Sequence, residues 1–348
     1  MRIHRSLSWI AVGLASVAAW ATSTDPEADL LRRAQEMFKP LPADFSEPGR
    51  PLSPERIALG RTLFFDPRIS LDGTSSCARC HQPALHGTDG LARSVGVKDR
   101  LSRRNAPTVL NAALQVAQHW NGDRTGLEDQ AMKALLGPAS YGHEDYAAAM
   151  GRIQAIPEYR ALFAKAFPGT SEPLTPENWA SAISDYERTL VSESPFDAFL
   201  RGNAGALSVQ QRSGLTKFIN VGCAGCHGGV GIGGSSYRKF GVVEDYWKAT
   251  GSKTIDKGRI EVTKEPVDEC VFKVPTLRNV SRTAPYFHDG SVASLEQAVK
   301  IMAKVQLGRD LGPQDIADIV AFLDSLTGTI PPSFATAPIL PPGGFSLK

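Results

Sequence analysis

A mainly α-helical chain of two similar domains, with long loops and little β structure, is the fold class the sequence predicts, and three observations predict it. The pattern Cys-x-x-Cys-His occurs twice, as Cys77-Ala78-Arg79-Cys80-His81 and Cys223-Ala224-Gly225-Cys226-His227, 146 residues apart. Each copy follows a short helical pattern carrying Gly-x-x-x-Phe, with Gly60/Phe64 in Leu59–Phe65 and Gly214/Phe218 in Gly214–Ile219, which marks a degenerate duplication. Strand signals between these elements are scarce.

The elements follow in order. MRIHRSLSWIAVGLASVAAWA has a basic start at Arg2 and Arg5, an apolar stretch and a small-x-small ending at Ala19 and Ala21. This predicts a signal peptide over 1–21, cleaved after Ala21, and export of the mature chain. Its apolar stretch, interrupted by Ser8, Gly13 and Ser16, is short for a membrane span of roughly 20 residues. Leu59–Phe65 leads to the first motif through a turn-rich insert from Asp66 to Ser76. The chain divides near Ser192–Arg201, giving one domain over 22–195 and a second over 196–327. In the second, Ser294–Val305 carries Leu295, Ala298 and Ile301 at helical spacing, and Ile316, Ile319, Val320 and Leu323 repeat that spacing behind Pro313. Residues 328–348, with five Pro between Gly328 and Pro342, read as an extended tail over the surface.

Composition narrows the function. In 348 residues, 42% hydrophobic and 21% charged content excludes a disordered chain and supplies material for two cores. Apart from the leader, which holds Arg2 and Arg5 and no acid, basic and acidic residues balance at 36 each. A nucleic-acid partner has no global electrostatic support and none is expected. No later segment is apolar enough to cross a bilayer, so an integral membrane protein is not expected either.

Export makes the five cysteines informative, because an oxidising compartment normally pairs them. A disulfide framework gives no reason for a His after each second Cys, and neither does a zinc site built from both couples. The pattern is the attachment signature of a c-type haem: two thiols on about one helical turn reach the two vinyl groups, and the next His binds iron from the same face. Two covalent c-type haems are therefore expected, on Cys77, Cys80 and His81 and on Cys223, Cys226 and His227, each in a cytochrome c-like domain. Cys270 is left over and reads as a buried, inert thiol.

The opposite axial positions are approached by elimination. Of seven His, His4 leaves with the leader and His81 and His227 are proximal ligands, leaving His86, His119, His143 and His288. After the second motif the only Met is Met302. A thioether opposite His raises a haem's potential and closes its sixth position. Helical spacing leaves Met302 equally readable as a core residue, with His288 or Tyr286 as the remaining ligands.

Further motifs carry a resemblance. Arg104-Asn105-Ala106-Pro107-Thr108, His119-Trp120-Asn121-Gly122-Asp123-Arg124, Leu127-Glu128-Asp129-Gln130-Ala131, Val274-Pro275-Thr276-Leu277-Arg278-Asn279 and Ala284-Pro285-Tyr286-Phe287-His288-Asp289-Gly290 are similar to the bacterial dihaem cytochrome c peroxidase family, from about Leu59 to Thr327. That family includes the dihaem enzyme of methylamine utilisation, which oxidises a partner protein. The resemblance implies an N-terminal haem that meets hydrogen peroxide and a C-terminal haem that accepts electrons from a small donor, a cytochrome c or a blue-copper protein. It implies Met302 as sixth ligand of the accepting haem, where the protein-oxidising relative has Tyr. It also implies Trp120 as an electron relay between the haems, and a Ca²⁺ held by Asn105 and the carbonyls of Thr283 and Pro285. Gln130 is implied as a hydrogen-bonding partner in the distal pocket, and a homodimer as the assembly.

Two departures from the family matter. Where many relatives carry a His that blocks the peroxidatic iron, this chain has Val97, which cannot coordinate, so the first haem is expected to be open in the resting oxidised state. His86 follows His81 too closely to reach the distal side. Where relatives place a Glu for proton transfer, ten residues beyond Gln130, this chain has Ser140, a poor base. His143 and Glu144 are the nearest substitutes, and imidazole has a suitable pKa near about 6.5. The leading expectation is a periplasmic peroxidase. Its alternatives are an oxidase that modifies a partner protein or aromatic substrate through a high-valent haem, and a non-catalytic electron-transfer cytochrome.

Overall fold

A computed structural model describes residues 25–47, 49 and 51–343; the leader expected over 1–21 lies outside the described residues. The chain runs through α1 (Pro26–Met37), α2 (Pro54–Phe65), α3 (Cys77–Cys80), α4 (Leu127–Ala134), α5 (Tyr146–Gln154), α6 (Pro157–Ala166), α7 (Pro176–Glu187) and α8 (Pro195–Leu200). It continues through α9 (Val209–Val221), β1 (Tyr237–Lys239), α10 (Tyr246–Thr250), α11 (Ile260–Thr263), β2 (Val271–Lys273), α12 (Leu295–Leu307), α13 (Pro313–Asp324) and α14 (Pro332–Ala335). The fold is mainly helical, as expected. Its only named strands among the described residues are β1 and β2, paired antiparallel with Tyr237 opposite Lys273.

A Pro-rich chain is helical here because its prolines open helices: α1, α2, α6, α7, α8, α13 and α14 all begin with one, where the missing N–H has no intrahelical partner to lose. Ser53, Thr175 and Ser294 cap α2, α7 and α12 by accepting a backbone N–H, and Ser208 forms a capping box with Gln211 on α9. Gly222, at φ 107°, ends α9 in the left-handed conformation and delivers Cys223 directly.

The duplication is visible in the packing. α2 crosses α7, and α9 crosses α13. A Cβ at Gly60 would overlap the Ala182 carbonyl, and one at Gly214 the Asp318 carbonyl, so both crossings need a residue without a side chain. Phe64 then meets Tyr186 edge-on at 5.5 Å and Phe218 meets Phe322 at 5.2 Å. Gly60→Ala and Gly214→Ala are each expected to destabilise by at least about 1–3 kcal/mol, the usual cost of overpacking, read as a lowered denaturant midpoint.

A second repeat went unread in the sequence. Pro107-Thr108-Val109-Leu110-Asn111 and Pro275-Thr276-Leu277-Arg278-Asn279 adopt the same loop, with Asn111 and Asn279 at φ 59° and 63°. The Asn111 N–H donates to the Leu190 carbonyl (2.9 Å) and that of Asn279 to Leu326 (3.0 Å). Their Oδ1 atoms accept from the N–H of Ser192 (2.9 Å) and of Gly328 (2.8 Å). Each loop thereby clamps the chain just past the second helix of its crossing.

Packing and chain order part company at the ends. Leu30, Ala34 and Phe38 of the α1 segment pack with Phe196, Phe218 and Phe322, the core of the C-terminal helices. Beyond residue 328 the tail does more than lie over the surface: Phe334 is fully buried against Phe64 and Tyr186 of the N-terminal helices. Arg61 fastens it by donating to the Ser333 and Thr336 carbonyls. An aromatic on an otherwise Pro-rich tail is what permits that docking.

Candidate haem sites and the junction between them

Each C-x-x-C-H segment is held by the Pro-Thr loop of its own half. The Thr108 hydroxyl donates to the His86 carbonyl (2.6 Å) and the Thr276 hydroxyl to the Gly231 carbonyl (2.6 Å), just after the first and second motif. α3 puts Cys77 and Cys80 on one helical turn, and neither cysteine couple is a disulfide. His81 Nδ1 lies 3.0 Å from the Gly87 carbonyl. A carbonyl only accepts, so the ring donates from Nδ1 and keeps Nε2 for a metal. Burial lowers the pKa of His81 and takes that of His227 down to about 4, so both imidazoles are neutral, as ligands must be.

Around the second motif these residues fit a haem. One predominantly apolar cavity is lined by Cys223, Cys226, His227 and Met302, and His227 Nδ1 is buried without a hydrogen-bond partner. On α12, Leu295, Ala298, Ile301 and Val305 belong to the core, and half-buried Met302, one turn beyond Ala298, lines the cavity together with Leu295 and Ala298. Tyr286 also lines the cavity but packs with the core. His288 lines the cavity as well, stacked on Phe272 at 4.4 Å and edge-on to Tyr246 at 5.3 Å.

The same cavity runs on toward the first half, where Asn105, Pro107, His119 and Trp120 line it. The Trp120 indole N–H donates to the Asn105 carbonyl (3.0 Å), which fixes the ring at the junction. Asn105 spends its Nδ2 on the Leu91 carbonyl (2.8 Å), leaving Oδ1 uncommitted. Thr283 and Pro285 line the cavity too, and among the described residues no backbone N–H donates to their carbonyls. Three neutral oxygens of the hard type Ca²⁺ prefers thus belong to one wall system.

The distal candidates lie apart from that junction. Gln130 is half-buried on α4, and among the described residues its side-chain amide has no hydrogen bond. Ser140 sits in the turn Gly137–Gly142, closed by its N–H to the Gly137 carbonyl (2.9 Å). Tyr141 joins this turn to the first motif, its hydroxyl 3.4 Å from Cys77 Sγ. His143 is buried, with Nε2 2.7 Å from the Ile69 carbonyl, so it donates there and keeps Nδ1. Val97 is fully buried; a Cβ on Gly142 would press on its Cγ1.

The sequence profile of a family described as di-haem cytochrome c peroxidase matches residues 54–205. A cytochrome c551 peroxidase of Pseudomonas aeruginosa is 43% identical over 308 residues, covering 88% of each chain. The chain belongs to the di-haem cytochrome c peroxidase family. A methylamine utilization protein MauG of Methylorubrum extorquens is 33% identical over 343 residues, covering 95% of this chain and 94% of that one. A solved structure of a MauG-like protein associated with microbial copper homeostasis superposes with a TM-score of 0.74 at 31% identity, over 85% of this chain and 97% of that one. Membership makes the chain an oxidoreductase of the peroxidase class with two c-type haems. Among the described residues no helix is long and apolar enough to cross a membrane.

One residue of this peroxidase's interior escaped pattern reading. Glu187 ends α7, four residues after Ile183 and three before Leu190, so an acid stands on the apolar stripe. Its carboxyl is pushed up to about 8, first by burial and then by Glu128, with Arg188 opposing. It also lies within electrostatic reach of Cys77. The folded chain therefore keeps a proton that the unfolded chain releases above about pH 4.3, and stability falls as pH rises from there toward 8, by at most about 1.4 kcal/mol per pH unit. Glu187→Gln is expected to flatten that slope and to raise stability at pH 7.5 more than at pH 5, measured by urea unfolding of the holoprotein.

Proposed function

We propose that this chain reduces hydrogen peroxide to water, peroxide being met at the Cys77, Cys80 and His81 site and electrons being taken from a small redox protein at the Cys223, Cys226 and His227 site. The observation that supports the division is Met302, whose side chain lines the same cavity as Cys223, Cys226 and His227. When bound, the haems supply the iron at which the O–O bond is reduced and a one-electron store that feeds it. Every other task falls to side chains.

His81 donates from Nδ1 to Gly87 and so would present Nε2 to one iron; His227 and Met302 would hold the other. Val97, packed on Gly142, offers no ligand, which leaves the peroxide face of the first site open. There Gln130 donates a hydrogen bond to peroxide and Ser140 orients water. His143, held at Nε2 by Ile69 and neutral through burial, takes and returns the proton at Nδ1. Trp120, fixed by Asn105, carries electrons across the junction, and Asn105 Oδ1 with the Thr283 and Pro285 carbonyls binds Ca²⁺ beside it. The balance is one peroxide, two electrons and two protons to two waters. The mature chain works in the periplasm as a homodimer, with a cytochrome c or a blue-copper protein as donor.

Oxidation of a partner protein or aromatic substrate is the second reading, favoured by Ser140 and Val97 and opposed by Met302. Dependence of turnover on an added donor separates the two. The test is electron paramagnetic resonance of the oxidised, calcium-loaded holoprotein before and after stoichiometric peroxide. A high-spin signal consumed by peroxide beside a persisting low-spin His/Met signal is expected. Two low-spin signals unmoved by peroxide would overturn the open first site.

A further inference from the structure

Lys273 is an ammonium buried without a counter-ion. It ends β2 at 3% exposure and lines the cavity shared by Cys223, Cys226, His227 and Met302. Its backbone N–H donates to the Trp120 carbonyl (2.7 Å), so the strand fixes the side chain at the junction between the two sites. Nζ donates to Gln115 Oε1, a neutral acceptor, and no Asp or Glu carboxylate among the described residues pairs with it. The other deeply buried cation of the cavity wall differs: Arg278 has both oxygens of Asp197.

An isolated charge costs several kcal/mol to bury, and a fold that retains one does so when a counter-charge arrives with the occupant of the site. Burial alone depresses the Lys273 ammonium, to about 7, which is the response of a cation whose partner is missing. Gln115 can steer the ammonium but cannot neutralise it. The occupant implied by the surrounding cysteines and His227 is a haem, whose own charged groups are two propionate carboxylates.

We propose that Lys273, steered by Gln115, is the counter-ion of a propionate carboxylate of the haem held by His227, and that it holds that haem's reduction potential up. The inference rests on the two-haem reading above. Lys273 is a positioning and tuning residue, and it touches neither peroxide nor iron. A fixed positive charge favours the reduced centre, which carries one positive charge fewer than the oxidised one. Removing that charge lowers the potential.

The test is spectroelectrochemical titration of both haems in the holoprotein, with covalent haem counted by alkaline pyridine spectra. Lys273→Met is expected to raise the oxidised-to-reduced ratio of the His227 haem about tenfold at fixed potential, a fall of about 59 mV for one electron. Lys273→Gln, which keeps a donor for Gln115, gives the same fall if the Met variant does not fold. Lys273→Arg restores the wild-type value. Unchanged potentials in a variant carrying two haems would overturn the proposal, and a shift confined to the His81 haem would overturn its assignment to the His227 haem. Fewer than two haems in the wild-type chain would overturn the two-haem reading itself, a separate outcome.

Discussion

Asp197→Ala is expected to lower the free energy of unfolding by about 3–5 kcal/mol, the cost of leaving a buried charge without its partner. Asp197 and Arg278 are both fully buried, joined by two parallel bonds of 2.9 and 3.0 Å. The carboxylate also accepts the N–H of Leu41 (2.8 Å) and the N–H (2.9 Å) and hydroxyl (2.8 Å) of Ser194. One side chain thus ties the segment after α1, the start of α8 and the Pro-Thr loop of the second half. Burial pushes the Asp197 carboxyl up, but Arg278 and the hydrogen bonds outweigh it and hold the carboxyl below its ordinary range. The sign follows: an acid depressed in the folded state contributes stability above its unfolded pKa of about 3.9, and loses it as pH falls through the folded value. The deficit of Asp197→Ala should therefore shrink below about pH 4. Pairing Asp197→Leu with Arg278→Met should recover most of the loss, because no orphan charge then remains. Equal stability of Asp197→Ala and wild type in urea at pH 7 would count against this account.

That ion pair was invisible in the sequence, and the reason is general to this chain. Local signals were legible: the prolines and Ser/Thr caps that start helices, the two Gly-x-x-x-Phe crossings, the pairs of cysteines. Each is encoded within a few residues, where spacing and stereochemistry act directly. Asp197 and Arg278 are 81 residues apart, and nothing in either neighbourhood distinguishes a buried acid from a solvated one. Glu187 and Lys273 escaped for the same reason, since their chemistry comes from what the tertiary fold denies them. The exchange of ends was likewise unreadable. Phe38 and Phe334 are ordinary aromatics until α1 docks on the C-terminal helices and the tail on the N-terminal ones. Met302 marks the boundary between the two kinds of information. Its helical spacing allows core or cavity equally, and only the tertiary fold, which opens a cavity between α12 and the second motif, places it on that wall.

His81→Ala is expected to cost more peroxide turnover than any other single substitution in the chain. Loss of a mere outer-shell partner of a metal ligand costs about 10–100-fold, and His81, the ligand in the function proposed, has the Gly87 carbonyl as such a partner. Met302→Ala should behave differently. If Met302 is the ligand proposed, loss of the thioether should lower the potential of the His227 site and slow steady-state turnover, while the first equivalent of peroxide should still react at the wild-type rate in stopped flow. The contrast assigns the two halves: a variant at His81 abolishes the single-turnover reaction, and one at Met302 spares it. The arrangement around Val97 adds a further condition to that measurement. Its loop is tied to the first motif by Arg79, which donates to the Val95 carbonyl (2.7 Å), and to Asp72, which accepts the Lys98 N–H (2.6 Å). A loop fastened at both points and carrying no ligand has nothing to release, so the fully oxidised protein should react with peroxide as fast as the half-reduced one. A closing ligand favoured by about 3 kcal/mol would instead leave about one molecule in a hundred competent and slow the oxidised protein in proportion. Equal rates in the two redox states, lost together in His81→Ala, are the result that an open first site requires.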